Sequence, residues 1–215
     1  MEYALLGWAD AGVTLRLDYR RFSYAGKFVM SATGKAVART ASPATDGGSE
    51  RADAADRSDG SEDDYDDGVL AAVAFDADRT DETVCRLRYI TVREDRRGEG
   101  IGPRLAAFVA ARATDRGFER VRIAVNNPYA YEALYRAGFA FTGAETGLAE
   151  LVLERPAGRG AVADRDPDTY RRGLDVYRER DLSTAEREFL RGKEGSDPPS
   201  VVATPGGPGT ESGRR

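Results

Sequence analysis

Apolar and polar positions along this chain alternate with two periods, and the switches between them mark the elements. Val13 to Asp18 sets Val13, Leu15 and Leu17 against Thr14, Arg16 and Asp18, the period-two pattern of a half-buried strand. Tyr19 to Met30 is ambiguous: Tyr24 with Phe28 and Ala25 with Val29 have helical spacing, and Gly34 could end such a helix. Lys35 to Arg39 reads as a short strand. The pattern is sharper downstream. Val69 to Phe75 and Val84 to Val92 are rich in strand-forming residues, with a turn at Arg79-Thr80-Asp81 between them. Gly102 to Arg116 predicts a helix with Pro103 at its first position, an apolar face of Leu105, Phe108, Val109 and Ala113, and Gly117 as its stop, with Phe118 packing back. Val121, Ile123 and Val125 alternate in a further strand, and Pro128 opens a short helix through Tyr135 that Gly138 ends. Phe139 to Phe141 and Leu148 to Leu153 predict closing strands. From Val69 the order is β-β-α-β-α-β-β, a mixed α/β sheet. Beyond Pro156 the chain predicts two short helices: Asp166-Pro167 is a cap followed by a first-turn proline, Tyr170, Leu174 and Tyr177 make a stripe, and Ser183 to Glu186 is a capping box ahead of Phe189-Leu190. Their simplest role is to cover the domain or a partner subunit.

Composition separates two further segments. Residues 41–67 are built from Ser, Gly, Asp and Ala, with Tyr65 as the one large apolar residue, and are expected to be a disordered insert. The 193–215 tail is expected to lack fixed structure, since Gly195 to Arg215 holds five glycines and four prolines. The expected organisation is therefore a domain over 1–156, a helical appendage over 157–192 and the tail. The net charge of -5 also divides: Thr45 to Asp67 carries ten acids against Arg51 and Arg57, which leaves the remainder at +3. A weakly basic folded part suits a small anionic ligand and lacks the dense basic stripe of a nucleic-acid binder. No apolar run approaches the length of a membrane helix, so no membrane partner is expected. Met1-Glu2-Tyr3 opens no signal sequence and Cys85 is the one cysteine, so a cytoplasmic location is expected. The sequence has no histidine, which excludes Ser-His-Asp triads and His-ligated metals and leaves no metal site to expect. Cys85 reads as a small buried residue rather than a nucleophile.

The stretch with chemical content runs from Val92 to Pro103 (VREDRRGEGIGP), where a strand gives way to a glycine-rich turn and then a helix. Successive backbone N–H groups in such a turn, together with a helix N-terminus, form an anion cradle. A dinucleotide fingerprint fails because Pro103 stands where its last glycine should be, and a P-loop fails at Gly34-Lys35-Ala36. The pattern present is Arg97-x-x-Gly100-x-Gly102 after an apolar strand. With the second block RVRIAVNNPYAYEALYRAGFA, residues 120–140, in which Asn127 precedes Gly138 by eleven residues, it resembles the acetyl-CoA-binding segment of the GNAT (Gcn5-related) N-acetyltransferase superfamily. The resemblance covers 69–154 well and 1–40 thinly.

That resemblance implies a mixed sheet of about six or seven strands with helices on both faces, here with the C-terminal helical appendage. It implies an N-acetyltransferase that moves an acetyl group from acetyl-CoA, as co-substrate and without a metal, to a primary amine by direct attack. The acceptor is a small molecule or a protein amine, and a homodimer is left open. A non-catalytic acyl-CoA-binding regulatory or interaction module is the alternative. The implied cofactor residues are Ile90 and Val92 on the strand, Arg97, Gly98, Glu99, Gly100, Ile101 and Gly102 in the turn, and Asn127 at the next strand's exit. The family's usual general acid is a Tyr four residues before the helix-ending Gly, and Leu134 occupies that position. The candidates for that role are therefore the neighbouring Tyr135 and, one turn earlier, Tyr131, or else both simply pack. Glu82, ahead of the strand Val84 to Val92, is the nearest carboxylate for a base. Pro103 removes one amide from the cradle. Arg86 and Arg88 are unusual charges for a central strand; they either form salt bridges or meet an acidic group of a ligand.

Overall fold

The computed structural model describes residues 1–40 and 65–206. Among these described residues there are seven strands: β1 Glu2–Gly7, β2 Gly34–Arg39, β3 Val69–Ala77, β4 Val84–Val92, β5 Arg120–Val125, β6 Ala140–Glu145 and β7 Leu151–Pro156. They form one mixed sheet in the order β1-β2-β3-β4-β5-β7-β6. All neighbouring pairs are antiparallel except β4 and β5.

The two faces of the sheet are packed differently. On one face, Ala36, Ala71, Val73, Leu87, Val121, Ile123 and Leu153 join helix α2 (Ile101–Ala113), helix α3 (Pro128–Arg136) and helix α4 (Pro167–Arg178) in the larger apolar core. On the other, Val37, Ala72 and Ala74 meet Phe22, Ala25 and Phe28 from helix α1 (Ala25–Met30) and its approach. Among the described residues the second cover reaches only the β1–β3 half of the sheet. On the β5–β7 half, Arg120, Arg122 and Glu154 lie on that face, half-buried and paired with one another.

Two expectations for the N-terminal region are corrected. The strand is Glu2–Gly7, paired with β2, and Val13 to Asp18 belongs to no strand. Leu15 and Leu17 are buried and alternate with exposed neighbours, but they pad the smaller core rather than pair. The buried ammonium of Lys35 donates to the carbonyl of Val13 at 2.6 Å, to that of Ser31 at 3.1 Å and to that of Thr33 at 3.0 Å, and so takes up one carbonyl a strand would offer. Gly34 opens β2 rather than ending a helix. In α2, Pro103 is the third helical residue rather than the first; the first-turn N–H groups have no intrahelical acceptor, so its missing N–H breaks no helix bond.

Helix α4 lies over β6 and meets α3 through Tyr170, which packs on Tyr131 and Tyr135, with the main-chain N–H of Thr169 bonded to Asp166 at 2.7 Å as its N-cap. Its Tyr170, Leu174 and Tyr177 belong to the main core, and the Tyr177 hydroxyl donates to the carbonyl of Val125 at 3.0 Å. Helix α5 (Thr184–Arg191) starts at the Ser183–Glu186 capping box and packs on α3. The expectation for the tail is corrected over 193–206. This stretch has no helix or strand beyond the turn that follows α5, yet it is tied down: Arg171 donates to the Ser196 carbonyl at 3.2 Å, Arg165 to that of Pro199, and Val202 N–H to the Arg136 carbonyl at 2.8 Å. Prolines keep it out of the sheet, and its carbonyls take donors from arginines on the domain instead. Residues 207–215, and 41–64 of the acidic insert, lie outside the described residues. Among the described residues no helix is long and apolar enough to cross a membrane.

Candidate acyl-donor cleft

The parallel pair β4 and β5 stays together only from Val84↔Arg120 to Arg86↔Arg122. Opposite β3, the register passes from Ala74↔Tyr89 to Phe75↔Leu87, which leaves Arg88 as a bulge. A bulge increases twist and bends its strand. Past it, β4 and β5 diverge, and the edge of β4 carrying Ile90 and Val92 borders an open cleft. On the other side β5 runs to Asn127, whose side chain accepts the Ala130 N–H at 2.9 Å and caps α3.

At its C-terminal end β4 passes through a single 3-10 turn, Glu94–Arg96, into the glycine-rich segment. Gly98 and Gly100 have φ of +85° and +73°, the left-handed region that disfavours L side chains. Gly102 serves a different need: a Cβ there would stand 3.2 Å from Val92 Cγ2, so glycine lets α2 press against β4. The amides of 98–102 have no hydrogen-bond acceptor among the described residues, and those of α2's first turn point out of its N-terminus. Pro103 removes the next one. Arg96 holds the Glu99 carboxylate with two bonds of 2.7 and 2.8 Å, which lowers that carboxyl's pKa, and Arg104 donates to the Glu99 carbonyl at 3.0 Å. Arg97 reaches across to the Ser23 hydroxyl at 3.0 Å.

These elements enclose a cavity of about 750 Å³, within the size range of small-molecule sites. Ile90, Val92, Arg97, Gly98, Gly100, Ile101, Gly102 and Asn127, eight of the nine expected cofactor residues, line it. Glu99 does not, and its carboxylate is bonded to Arg96. Several lining residues were not anticipated. Ser23 and Tyr24 come from the approach to α1, Tyr129 and Arg136 from α3, and Phe189 from α5. Tyr129 and Arg136 could have been found from the helical period, since they share a face with Ala133. Phe189 belongs to no pattern that links it to the site.

The three expected catalytic residues do not reach the cleft. Tyr131 and Tyr135 are fully buried on the opposite side of α3. The Tyr131 hydroxyl bonds to that of Tyr135 at 3.3 Å and to the Tyr170 carbonyl at 3.1 Å, and the Tyr135 hydroxyl accepts the Phe141 N–H at 3.0 Å. Helix α4 seals them in: a Cβ on Gly173 would stand 2.0 Å from the Tyr131 hydroxyl. Burial pushes both phenols' pKa values upward. The cause is regularity. Helix α3 has no bulge, so successive residues differ by about 100° and Leu134, not Tyr135, lines the cavity. Glu82 is exposed in the turn before β4, eight residues or roughly 26 Å of strand from Ile90.

Arg86 and Arg88 are ion-paired, with Asp78 at 3.3 Å and Asp76 at 2.6 Å. Bonds from the Thr80 hydroxyl and N–H, then from Arg86, lower the buried Asp78 carboxyl to a pKa of about 2. On the open face, Arg122 meets Glu154 at 2.6 Å, and these two and Arg86 line a second cavity of about 450 Å³. Cys85 is fully buried, its thiol pushed up to about 12 by desolvation, which removes it as a nucleophile. Among the described residues no group of three or more acidic or thiol side chains is placed to hold a metal ion.

Fold and cleft together describe an α/β domain with an amide cradle at the mouth of a parted parallel strand pair. Residues 42–139, 98 of the 215, match the family model described as "Acetyltransferase (GNAT) family". Among solved structures it is similar to nourseothricin acetyltransferase, at 25% identity and a TM-score of 0.38 over 43% of this chain and 61% of that one. A GCN5-related N-acetyltransferase from Kribbella flavida matches at 24% identity and a TM-score of 0.36, over 41% and 61% of the two chains. The ribosomal-protein-S18-alanine N-acetyltransferase from Escherichia coli matches at 16% identity and a TM-score of 0.34, over 45% and 67%. The chain thus spans about three fifths of the length of the first two. No curated protein matches it.

Proposed function

We propose that this protein transfers an acetyl group from acetyl-CoA to a primary amine, by direct attack of the amine on the thioester. The observation that carries the reading is the single cavity running from the Gly98–Gly102 amides along Ile90 and Val92 to Asn127. Those amides suit a pyrophosphate. The edge of the parted β4 offers backbone groups to a pantetheine arm. In the reaction the amine nitrogen forms a bond to the acetyl carbon, the carbon–sulfur bond breaks, the nitrogen loses a proton and the thiolate gains one. Positioning supplies much of the rate. With Leu134 in the usual tyrosine position, we assign the proton for the thiolate to Tyr24. It lines the cavity and its ring lies 6.2 Å from that of Tyr89. Its φ of +61° is unusual for a non-glycine residue, and such strain gathers at functional sites. The acceptor is a small-molecule or protein amine.

Leu134 also favours a second reading, an acyl-CoA-binding regulatory or interaction module without turnover. Calorimetric titration with acetyl-CoA, followed by a thiol-release assay over a panel of amines, decides between them. Binding with turnover supports the transferase. Binding with no turnover on any amine, peptide N-termini and lysines included, supports the module. The absence of acetyl-CoA binding at millimolar concentration sinks both.

A further inference from the structure

The parted strands form a fork with two mouths, and the acyl-donor cavity accounts for the one beside α2 and α3. The second mouth opens on the opposite face. Arg86 and Arg122 are partners in the last rung before β4 and β5 diverge. Arg86 stands between Cys85 and Leu87, and Arg122 between Val121 and Ile123. All four neighbours belong to the main core, so strand alternation sends both guanidiniums to the other face. There they line the cavity of about 450 Å³ with Glu154 of β7, Ala124 beyond the rung, Thr142 of β6 and Thr146 just past it. The threonine hydroxyls are spoken for within the hairpin. Thr142 donates to the Val152 carbonyl at 3.0 Å, and Thr146 accepts the Glu150 N–H at 3.2 Å. Glu154 takes Arg122 at 2.6 Å and Arg120 at 3.5 Å. Arg86 is less fully engaged. Its Nη1 meets Asp78 at 3.3 Å, and Asp78 is held more closely by Thr80, with the hydroxyl at 2.7 Å and the N–H at 2.9 Å. Nε and Nη2 of Arg86 and Nη1 of Arg122 have no acceptor among the described residues.

The unmet groups of this cavity are thus donors on two cations, and its one carboxylate is shared between Arg122 and Arg120. Such a site selects an anion, and a guanidinium fork matches the two oxygens of a carboxylate. The cavity's position says what the anion is attached to. Ala124 lies two residues past the rung, about 7 Å along β5, where the strands have parted. The donor cavity reaches the same side of the sheet at Ser23 and Tyr24, which come from the approach to α1. A thioester in the fork is therefore open to an amine that lies in this second cavity. We propose that the acceptor is a small amine carrying a carboxylate, held at that carboxylate by Arg86 and Arg122 while the amine faces the fork. The volume stands toward the lower end of ligand-site sizes, which suits a small molecule and not a polypeptide. The amine nitrogen takes the acetyl carbon and loses a proton, the departing thiolate gains one, and the carboxylate is unchanged. This rests on the acetyl-CoA reading above and adds the class of acceptor.

The test is steady-state thiol release by the full chain with matched acceptors: the ω-amino acids from glycine to 6-aminohexanoate and the common α-amino acids, each beside its neutral carboxamide. At least one acid is expected to exceed its amide by about tenfold in kcat/KM, the worth of one charge-assisted hydrogen bond. Arg86→Gln and Arg122→Gln should each raise the KM of that acid by about tenfold. Both should leave its amide and the calorimetric Kd for acetyl-CoA unchanged, and Arg86→Lys, which keeps the charge, should retain part of the preference. Thermal melts check that the variants fold, and the acid-to-amide ratio of the unaltered protein needs no variant. The absence of any acid preferred to its amide, or an equal loss on acid and amide in both variants, overturns the carboxylate subsite and leaves the transferase standing. Acetyl-CoA binding without turnover of any amine overturns the transferase. Calorimetry with the same acids in the presence of CoA then decides the subsite: binding lost in Arg86→Gln supports it, and absent or unaltered binding overturns it.

Discussion

The amide cradle can be tested by one methyl group. In Gly100→Ala the φ of +73° costs an L residue about 1–2 kcal/mol, and the new Cβ stands 3.2 Å from Arg104 Nη1. The guanidinium is the end of a flexible side chain and can retreat, so the collision itself is cheap. Its retreat, however, releases the Glu99 carbonyl that it holds at 3.0 Å. The loop that aims the amides then loses a fixed point. An amide hydrogen bond to a charged oxygen is worth about 1.5–3 kcal/mol, so misdirecting one weakens acetyl-CoA binding by about ten- to a hundredfold. Gly117→Ala is the control. Its φ of +79° imposes the same strain beyond the other end of α2, where a Cβ meets nothing within 4 Å. Both variants should lower the melting temperature by a few degrees, and only Gly100→Ala should raise the Kd in calorimetry. Equal Kd values in the two variants would refute the assignment of these amides to the ligand.

Three other perturbations probe separate parts of the structure. Tyr24→Phe should lower kcat by about a hundredfold with little change in the KM for acetyl-CoA; an unaltered kcat in steady-state thiol release removes Tyr24 from the chemistry. Asp78 has a folded pKa of about 2, below its unfolded value of 3.8, so its stabilising contribution is complete above the unfolded value and fades as pH falls toward 2. Unfolding in urea should show Asp78→Asn about 2 kcal/mol less stable at pH 7, the gap closing between pH 4 and 2; a gap constant with pH contradicts this assignment. Arg155 is buried, with desolvation lowering its pKa to about 10, and it donates to the carbonyls of Ala137 and Ala161 and, at 3.2 Å, of Pro156. Arg155→Met should destabilise by about 3 kcal/mol through those unpaired carbonyls, and a loss below 1 kcal/mol in the same urea assay would show that water replaces the guanidinium.

The sheet from Val69 onward is legible because its strands are bounded by turn residues and its helices carry stops that act locally, such as Gly117 at φ +79° with the Phe118 N–H returning to the Ala113 carbonyl at 3.2 Å. The N-terminal part is not legible, for a physical reason. Tyr3 to Leu6 is a continuous apolar run with no alternation to reveal it, and it pairs at the sheet's edge with a strand more than thirty residues away. Val13 to Asp18 alternates because Leu15 and Leu17 are buried in the smaller core with Phe28 of α1, and burial does not require a hydrogen-bonded neighbour. The tail misleads in the opposite sense. Its prolines and glycines rule out regular structure, but not the bonds that arginines on the domain make to its carbonyls.

The site divides along the same line between local and distant causes. The cradle is set by φ angles and a close helix–strand approach between Val92 and Gly102, ten residues apart, which spacing alone can express. The facing of α3 is set by its regularity, and the decisive residue is Leu134. A bulge would have been needed to turn Tyr135 about 100° into the cavity. The Tyr131–Tyr135–Tyr170 cluster opposes that turn, because rotating the helix would strip Tyr131 of two bonds and drive it against Gly173 of α4. The appendage that holds these tyrosines away from the cleft is the same one that brings Phe189 into it. Two short helices thereby fix both which side chains of α3 the cleft lacks and which aromatic surface it gains, and neither effect can be read from α3 or α5 alone.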